Sequence, residues 1–447
     1  MSPSARPTPH DPRVVVVGAG LAGLTATRHV HLLGLVDELG LQLDDLREAY
    51  IPGSIWPNWV EGEVVLGKDL REQLDPIVTA VEAEARKIGV IAPGQGPSIA
   101  AISYGTATPQ AAELDALSMA EWLDANVPGV VGSSLGSYLD ESMSGWYGLE
   151  MDQLSACTWM DYFVLPWPDA DERWHVQGGN DQAPALLAEG LPPDALRLQA
   201  PLEAMRSRSD GSYELRFGGV DLPVAADFVI LALPFTTLRL VDLDDAGFGP
   251  ERTAAILGLG MGMDVKLLLQ YDRRPAEFQV AGRVWSGGME HTDPHFETWE
   301  SSAAQPGASG LITVYAGGRT GASWTAEEPH AAASESFAAE YVGHIEDVVP
   351  GTASSFNGRA WLDLWTRDPW TNGSYAAFLP GQYTRLWGYT GRAEGRVHFA
   401  GEHTSTHSQG YLNGGVESGQ RAAIEVMREL GIEVPASIAE LPYSLDG

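Results

Sequence analysis

Two stretches, one near each end of the chain, carry glycines where backbone N–H groups would have to meet an anion. The first is Val14-Val-Val-Val-Gly18-Ala19-Gly20-Leu21-Ala22-Gly23. An apolar β-branched run enters a Gly-x-Gly-x-x-Gly turn, and Leu24 to Leu33 then reads as a helix. In that setting Gly18 permits a tight turn, Gly20 lets the backbone approach a pyrophosphate, and Gly23 lets helix and strand pack closely. Ala19 and Ala22 complete the turn, and the helix start offers unpaired N–H groups and a positive dipole end. A merely structural glycine turn is the competing reading, and the flanking strand and helix weigh against it.

The acidic residue expected about 20 positions further on, to hold a ribose, falls at Asp37 or Glu38. Both lie in Leu35-Val-Asp-Glu-Leu-Gly-Leu-Gln-Leu43, whose pattern is helical, so neither qualifies. The second stretch runs from Val397 to Gln420 as strand, Gly-rich loop and helix, through Gly401, Glu402, Gly410, Tyr411 and Leu412. It too presents N–H groups at a helix start. His403 and His407 have a helical metal-ligand spacing. They stand in a Gly/Ser/Thr loop without a third ligand nearby, so metal binding is rejected.

Strands are expected at Leu196 to Arg208, Tyr213 to Phe217, Asp227 to Leu233, Val265 to Tyr271, Leu311 to Ala316 and Arg396 to Ala400. Helices are expected at Glu72 to Ile88, Glu335 to Val349 and Gly414 to Leu430, with a capping box at Ser118-Met-Ala-Glu121. The stretch from Pro52 to Gly67, rich in Trp, Pro and Gly, reads as loop. Strands alternating with helices argue an α/β architecture.

The chain has 447 residues, enough for two or three domains. Its 27 Lys and Arg against 60 Asp and Glu give a net charge of -33. Such a charge repels nucleic acid and anionic membranes, and attracts cations weakly. One cysteine, Cys157, allows no internal disulfide and suits a reducing compartment. No apolar run reaches about 20 residues, so no membrane span is expected. The polar, Pro-rich start lacks the features of a secretory signal, and the expected location is cytoplasmic.

Together the two glycine stretches closely resemble the FAD-dependent amine oxidase family, which includes monoamine, polyamine and L-amino-acid oxidases. Supporting pieces follow in family order: Val176 to Gln182, Pro201-Leu202, Asp227 to Pro234, and Trp365 to Tyr375. The resemblance implies a Rossmann-like FAD-binding domain interleaved with an α+β substrate domain. The FAD domain would take 11–58, 178–256 and 368–432, the substrate domain 59–177 and 257–367, with tails at 1–10 and 433–447. It implies that Lys266 holds a water near flavin N5, that Tyr375 and Tyr411 face the flavin as a pair of rings, and that Trp365 lies beside it. Gly18, Ala19, Gly20, Ala22 and Gly23 would take the pyrophosphate, Leu202 would contact the adenine, and Pro234, at the end of the returning strand, would also line the cofactor. Gly401, Glu402, Gly410, Tyr411 and Leu412 would take the ring end. Ser374 stands where some monoamine oxidases carry a cysteine bonded to FAD, so FAD would be noncovalent. The implied reaction oxidises a small amine to an imine and reduces O2 to H2O2, and two copies could pair as a homodimer.

Other readings compete. Lys266 could be an edge-strand lysine reaching solvent. An L-amino-acid oxidase is the close alternative, although no arginine can be assigned to clamp a carboxylate. A flavin desaturase or isomerase would bind FAD and release no peroxide. The family's ribose-binding strand and its Gly-Gly-Arg motif are not found: Gly34 passes straight to Leu35, as if several dozen residues were missing. A naturally short variant, an edited chain and an incompletely recorded one all fit. Loss of that strand would expose a sheet edge and weaken the adenosine half of the site, so a noncatalytic relative that has lost its cofactor is also carried.

Overall fold

The computed structural model describes residues 12–25, 32–165 and 173–435. The expected N-terminal arm, most of the C-terminal tail and part of the helix from Leu24 to Leu33 lie outside them. The chain divides into two compact units: Met1–Gly40, Asp181–Leu257 and Thr390–Gly447 form one, and Leu41–Asn180 and Gly258–Tyr389 the other.

The first unit is built on a parallel sheet in which Phe228–Leu231 lies between Val14–Val17 and Val397–Phe399. Apolar runs suit it, because parallel strands are covered on both faces. Phe228 and Ile230 pack with Ala22, Ala400, Ala422 and Val426, which brings the helices Leu21–Thr25 and Leu412–Glu429 onto the sheet. A second, antiparallel sheet joins Leu202–Ser207, Tyr213–Phe217 and Val224–Ala226. The segment after the glycine turn is helical, Leu32–Glu38, with Leu35 buried against Leu24, Leu187 and Val416. Among the described residues, Val14–Val17 therefore pairs on one side only.

The second unit holds an eight-stranded sheet. Its order is His330–Ala332, Phe356–Asp363, Val265–Tyr271, Gly310–Ala316, His295–Glu300, Met289–Thr292, Asn58–Val60 and Glu63–Val65. All neighbours are antiparallel except Met289–Thr292 with Asn58–Val60. Side chains alternate across the pleat. Val265, Leu267, Leu269, Val314 and Phe296 turn to a core shared with Tyr341, Val342 and Ile345 of the helix Glu335–Val348. The opposite face carries polar residues, and the helix Ser134–Tyr147 lies against Met289–Thr292, His295–Glu300 and Gly310–Ala316.

Three expectations need correcting. The stretch from Pro52 to Gly67 is not all loop: Asn58–Val60 and Glu63–Val65 form a hairpin, closed by Glu61 and Gly62 at φ 51 and 87°. Two positive-φ residues make the tight turn whose twist suits paired strands. The segment 41–58 belongs to the second unit, because Leu43–Asp45 pairs with Trp174–Val176 and Asn58 enters the large sheet. The segment from 368 to 389 also belongs there, since Ala376–Ala377 pairs with Gly260–Met261. Among the described residues no helix is long and apolar enough to cross a membrane.

Candidate active site

Register aligns four polar side chains across one face of the large sheet. Lys266 is opposite Tyr315, Tyr315 opposite Glu297, and Glu297 opposite Glu290. Lys266 stands on an interior strand paired on both sides, so the edge-strand reading fails. Its Nζ lies 5.6 Å from the ring centres of both Trp299 and Tyr315, within reach of cation–π attraction.

Tyr375 joins this group from the segment before Ala376–Ala377. Its hydroxyl donates to Gly145 O at 2.8 Å and accepts from the Tyr315 hydroxyl at 3.1 Å. Burial pushes both phenols well above their ordinary pKa, so both remain protonated donors. Next to Tyr375, the Ser374 hydroxyl donates to Asp264 Oδ2 at 2.5 Å. Asp264 is 1% exposed. Burial raises its carboxyl to about 7, against hydrogen bonding from Ser374, Tyr375 and Tyr315 that pulls it down. Glycine makes room for it: a Cβ on Gly148 would stand 2.4 Å from its Oδ2, and one on Gly317 2.5 Å from its Oδ1.

Sequence reasoning missed Asp264, although an acid two residues before Lys266 at the mouth of an apolar strand was a visible signal. It also missed three carboxylates. Glu141, on the helix Ser134–Tyr147, is 2% exposed and its Oε2 has no hydrogen-bond partner. Glu290 also has a sealed, unpartnered Oε2. Burial raises Glu290 to about 7, and burial with repulsion from Glu290 and Glu297 raises Glu141 well above the ordinary carboxylate range. No periodicity marks a glutamate on one helix as facing two strands distant in sequence.

The first unit holds the other predicted residues. Gly18 has φ +106°, and a Cβ there would stand 2.7 Å from Ala232 O. Around Gly20, its chain neighbours aside, no heavy atom of the described residues lies within 4 Å of where a Cβ would be, which suits the approach of a phosphate to the backbone. Ala22 and Leu202 are buried. Pro234 precedes the short helix Phe235–Leu238. Gly401 has φ +125°, and Glu402 Oε2 accepts from Gly410 N at 2.8 Å, closing the loop ahead of Tyr411. Tyr411 opens the helix Leu412–Glu429 without a side-chain cap, which leaves a dipole end suited to an anionic edge. His403 is buried and neutral: burial, with Arg252 and Arg421 nearby, lowers its pKa to about 3. Trp365, in the second unit, is 40% exposed and meets His330 edge-on at 4.6 Å. A cleft of about 410 Å³ lined by Arg319, Thr320, Trp324, Phe337 and Tyr341 contains none of the predicted residues.

The family described as Flavin containing amine oxidoreductase matches residues 15–427. The chain belongs to that family. Membership implies an FAD cofactor, and the open Gly20 and the uncapped start of Leu412–Glu429 fit its pyrophosphate and ring ends. The ribose end has no strand beyond Val14–Val17 among the described residues. The chain is 31% identical over 212 residues to YobN of Bacillus subtilis (strain 168), a match covering 45% of this chain and 41% of that protein. It is 25% identical over 264 residues to the L-glutamate oxidase precursor of Streptomyces viridosporus, covering 45% of this chain and 39% of that protein. The matches thus span about two fifths of these relatives' length. Cyclohexylamine oxidase from Brevibacterium oxydans IH-35A shares the fold, with TM-score 0.74 and 18% identity over 94% of this chain and 100% of that one.

Proposed function

We propose that this chain is an FAD-dependent oxidase that converts an amine to an imine, which hydrolyses to carbonyl and ammonia, while O2 is reduced to H2O2. Bound FAD supplies the hydride acceptor and the route of electrons to oxygen. The observation that carries the reading is Lys266, held on an interior strand against Trp299 and Tyr315, with Tyr375 hydrogen-bonded to Tyr315.

Each residue has a task. The buried rings keep water from the reacting amine and favour its neutral form, whose lone pair is needed. The bond from Tyr375 to Gly145 O fixes the tyrosine ring in place. Lys266 holds a water and delivers a proton where oxygen is reduced. Ser374, committed to Asp264, cannot form the thioether that a cysteine would, so FAD is noncovalent. Gly18, Ala19, Gly20, Ala22 and Gly23 would hold the pyrophosphate. Leu202 would lie at the adenine, Pro234 would line the cofactor from the end of its strand, and Gly401, Glu402, Gly410, Leu412 and Trp365 would lie at the ring system. Tyr411 keeps the role the resemblance gives it. The buried, reduced Cys157 suits the cytoplasm.

The L-amino-acid reading is favoured by the name of the Streptomyces relative. What stands against it is that no arginine can be assigned to clamp a substrate carboxylate. The purified protein should be yellow and should release peroxide with simple amines. A colourless protein that cannot be reconstituted with FAD, or silence with tyramine, putrescine and L-amino acids alike, would end this proposal.

A further inference from the structure

Among the described residues the large sheet ends on the strand His330–Ala332, which sets His330 opposite Asp363. Both ring nitrogens of His330 meet a carboxylate. Nδ1 lies 2.9 Å from Asp363 Oδ1, and Nε2 lies 3.1 Å from Asp368 Oδ2. A neutral imidazole has one N–H and one lone pair. It would donate to one aspartate and turn its lone pair on the other. Only the imidazolium, with two N–H groups, satisfies both. Among the described residues no lysine or arginine pairs with either aspartate. Lys266 stands opposite Asp363 on the next strand, but its ammonium lies beside Trp299 and Tyr315.

Asp368 is the hub of a loop that leaves the sheet. Its Oδ1 accepts from Trp370 N at 2.7 Å, and its carbonyl accepts from Asn372 N at 2.8 Å. The loop closes on Trp365, whose carbonyl accepts from Thr371 Oγ1 at 2.8 Å and from Gly373 N at 3.1 Å. Backbone bonds anchor both ends: Leu364 N donates to Pro329 O at 2.7 Å, and Ser374 N to Gly262 O at 2.9 Å. Between those anchors His330 ties the hub to the sheet edge, and its ring meets the Trp365 indole edge-on at 4.6 Å.

We propose that His330 is a positioning residue for Trp365: as the imidazolium it ties the loop 365–373 to the sheet edge, and on losing a proton it lets that loop loosen. The inference rests on the oxidase reading only for what Trp365 faces. The charges acting on the ring are those of Asp363, on the adjoining strand, and Asp368, on the loop itself. Partial burial pulls the pKa of His330 down, but the hydrogen bonds and charges of the two aspartates outweigh it and hold the proton above the ordinary value of 6.5. The tie is therefore complete below about pH 6.5 and is lost as pH rises through the raised value.

The test is hydrogen–deuterium exchange of the holoenzyme from about pH 5.5 to about pH 9.5, each rate being divided by the intrinsic exchange rate at that pH. Protection across 370–373 should fall about 10-fold as His330 loses its proton, the scale of one charge-assisted hydrogen bond. The backbone from Tyr375 onward should keep its protection. His330→Ala should show the low, alkaline protection at every pH. Asp363→Asn should keep the loop protected at alkaline pH, because the amide can donate to Nδ1 and leave a neutral ring to donate from Nε2 to Asp368. Flat protection in the unaltered protein overturns the tie, and so does a His330→Ala profile that follows the wild type. Anaerobic flavin reduction by an amine gives a second readout. The ratio of wild-type to His330→Ala rates cancels the ionisation of the substrate. It should be about 10 near about pH 6 and approach one at alkaline pH. A ratio of one throughout removes His330 from positioning Trp365. If no amine reduces the flavin, the oxidase reading fails and exchange alone decides the tie.

Discussion

Asp264 should tilt the stability of this protein against pH, and replacing it with Asn should remove the tilt. The carboxyl is 1% exposed, accepts from Ser374, and is raised from 3.8 to about 7 by burial. With the folded pKa above the unfolded one, its contribution is fully present below about pH 4 and is lost as pH rises through about 7. About three pKa units at ~1.4 kcal/mol each give a loss of about 4 kcal/mol across that window. In Asp264→Asn the amide oxygen still accepts from Ser374, and the exchange of a neutral carboxyl for an amide adds an offset of ~1 kcal/mol that does not vary with pH. The assay is urea unfolding of both proteins from about pH 4 to about pH 8, with the difference in free energy plotted against pH. The variant should gain on the wild type by about 4 kcal/mol towards the alkaline end. Glu290 and Glu141 tilt both curves alike and drop out of the difference. A difference that is flat across the range would refute the claim that Asp264 is a buried acid held near neutrality.

Gly18→Ala puts a methyl 2.7 Å from Ala232 O at φ +106°, and it should cost ~1–3 kcal/mol and lower the flavin bound per chain, read by absorbance after gel filtration. Lys266→Met should slow reoxidation of the reduced flavin ~100-fold in stopped-flow mixing with O2 while affecting anaerobic reduction less; an unchanged rate would remove Lys266 from the oxygen step. His403 has its pKa lowered from 6.5 to about 3, so its contribution is complete above about pH 6.5 and is lost as pH falls. His403→Gln should therefore flatten the acid side of the stability curve, measured by thermal melts.

The parts written in contiguous residues were legible. The Val14 to Gly23 turn, the strand Val265–Tyr271 and the helix Leu412–Glu429 arise from local periodicity, β-branched runs and glycines, which act within a few residues of where they stand. The capping box at Ser118 forms as its spacing implies: Glu121 N donates to Ser118 Oγ at 3.1 Å, and Ser118 N to Glu121 Oε2 at 2.8 Å. The helical pattern around Leu35 was equally local, and it signalled that the ribose strand would not follow the first helix.

What the sequence alone determined is that a glycine-rich turn joins a strand to a helix near each end of the chain and that a lysine stands on an apolar strand. What tertiary structure decided is which groups share a surface. The register of four strands aligns Lys266, Tyr315, Glu297 and Glu290. A helix from residues 134–147 brings Glu141 to the same face, and glycines at 148 and 317 open the space for Asp264. The physical reason is that burial, charge repulsion and the shift of a pKa depend on distances between residues far apart along the chain, and only packing sets those distances.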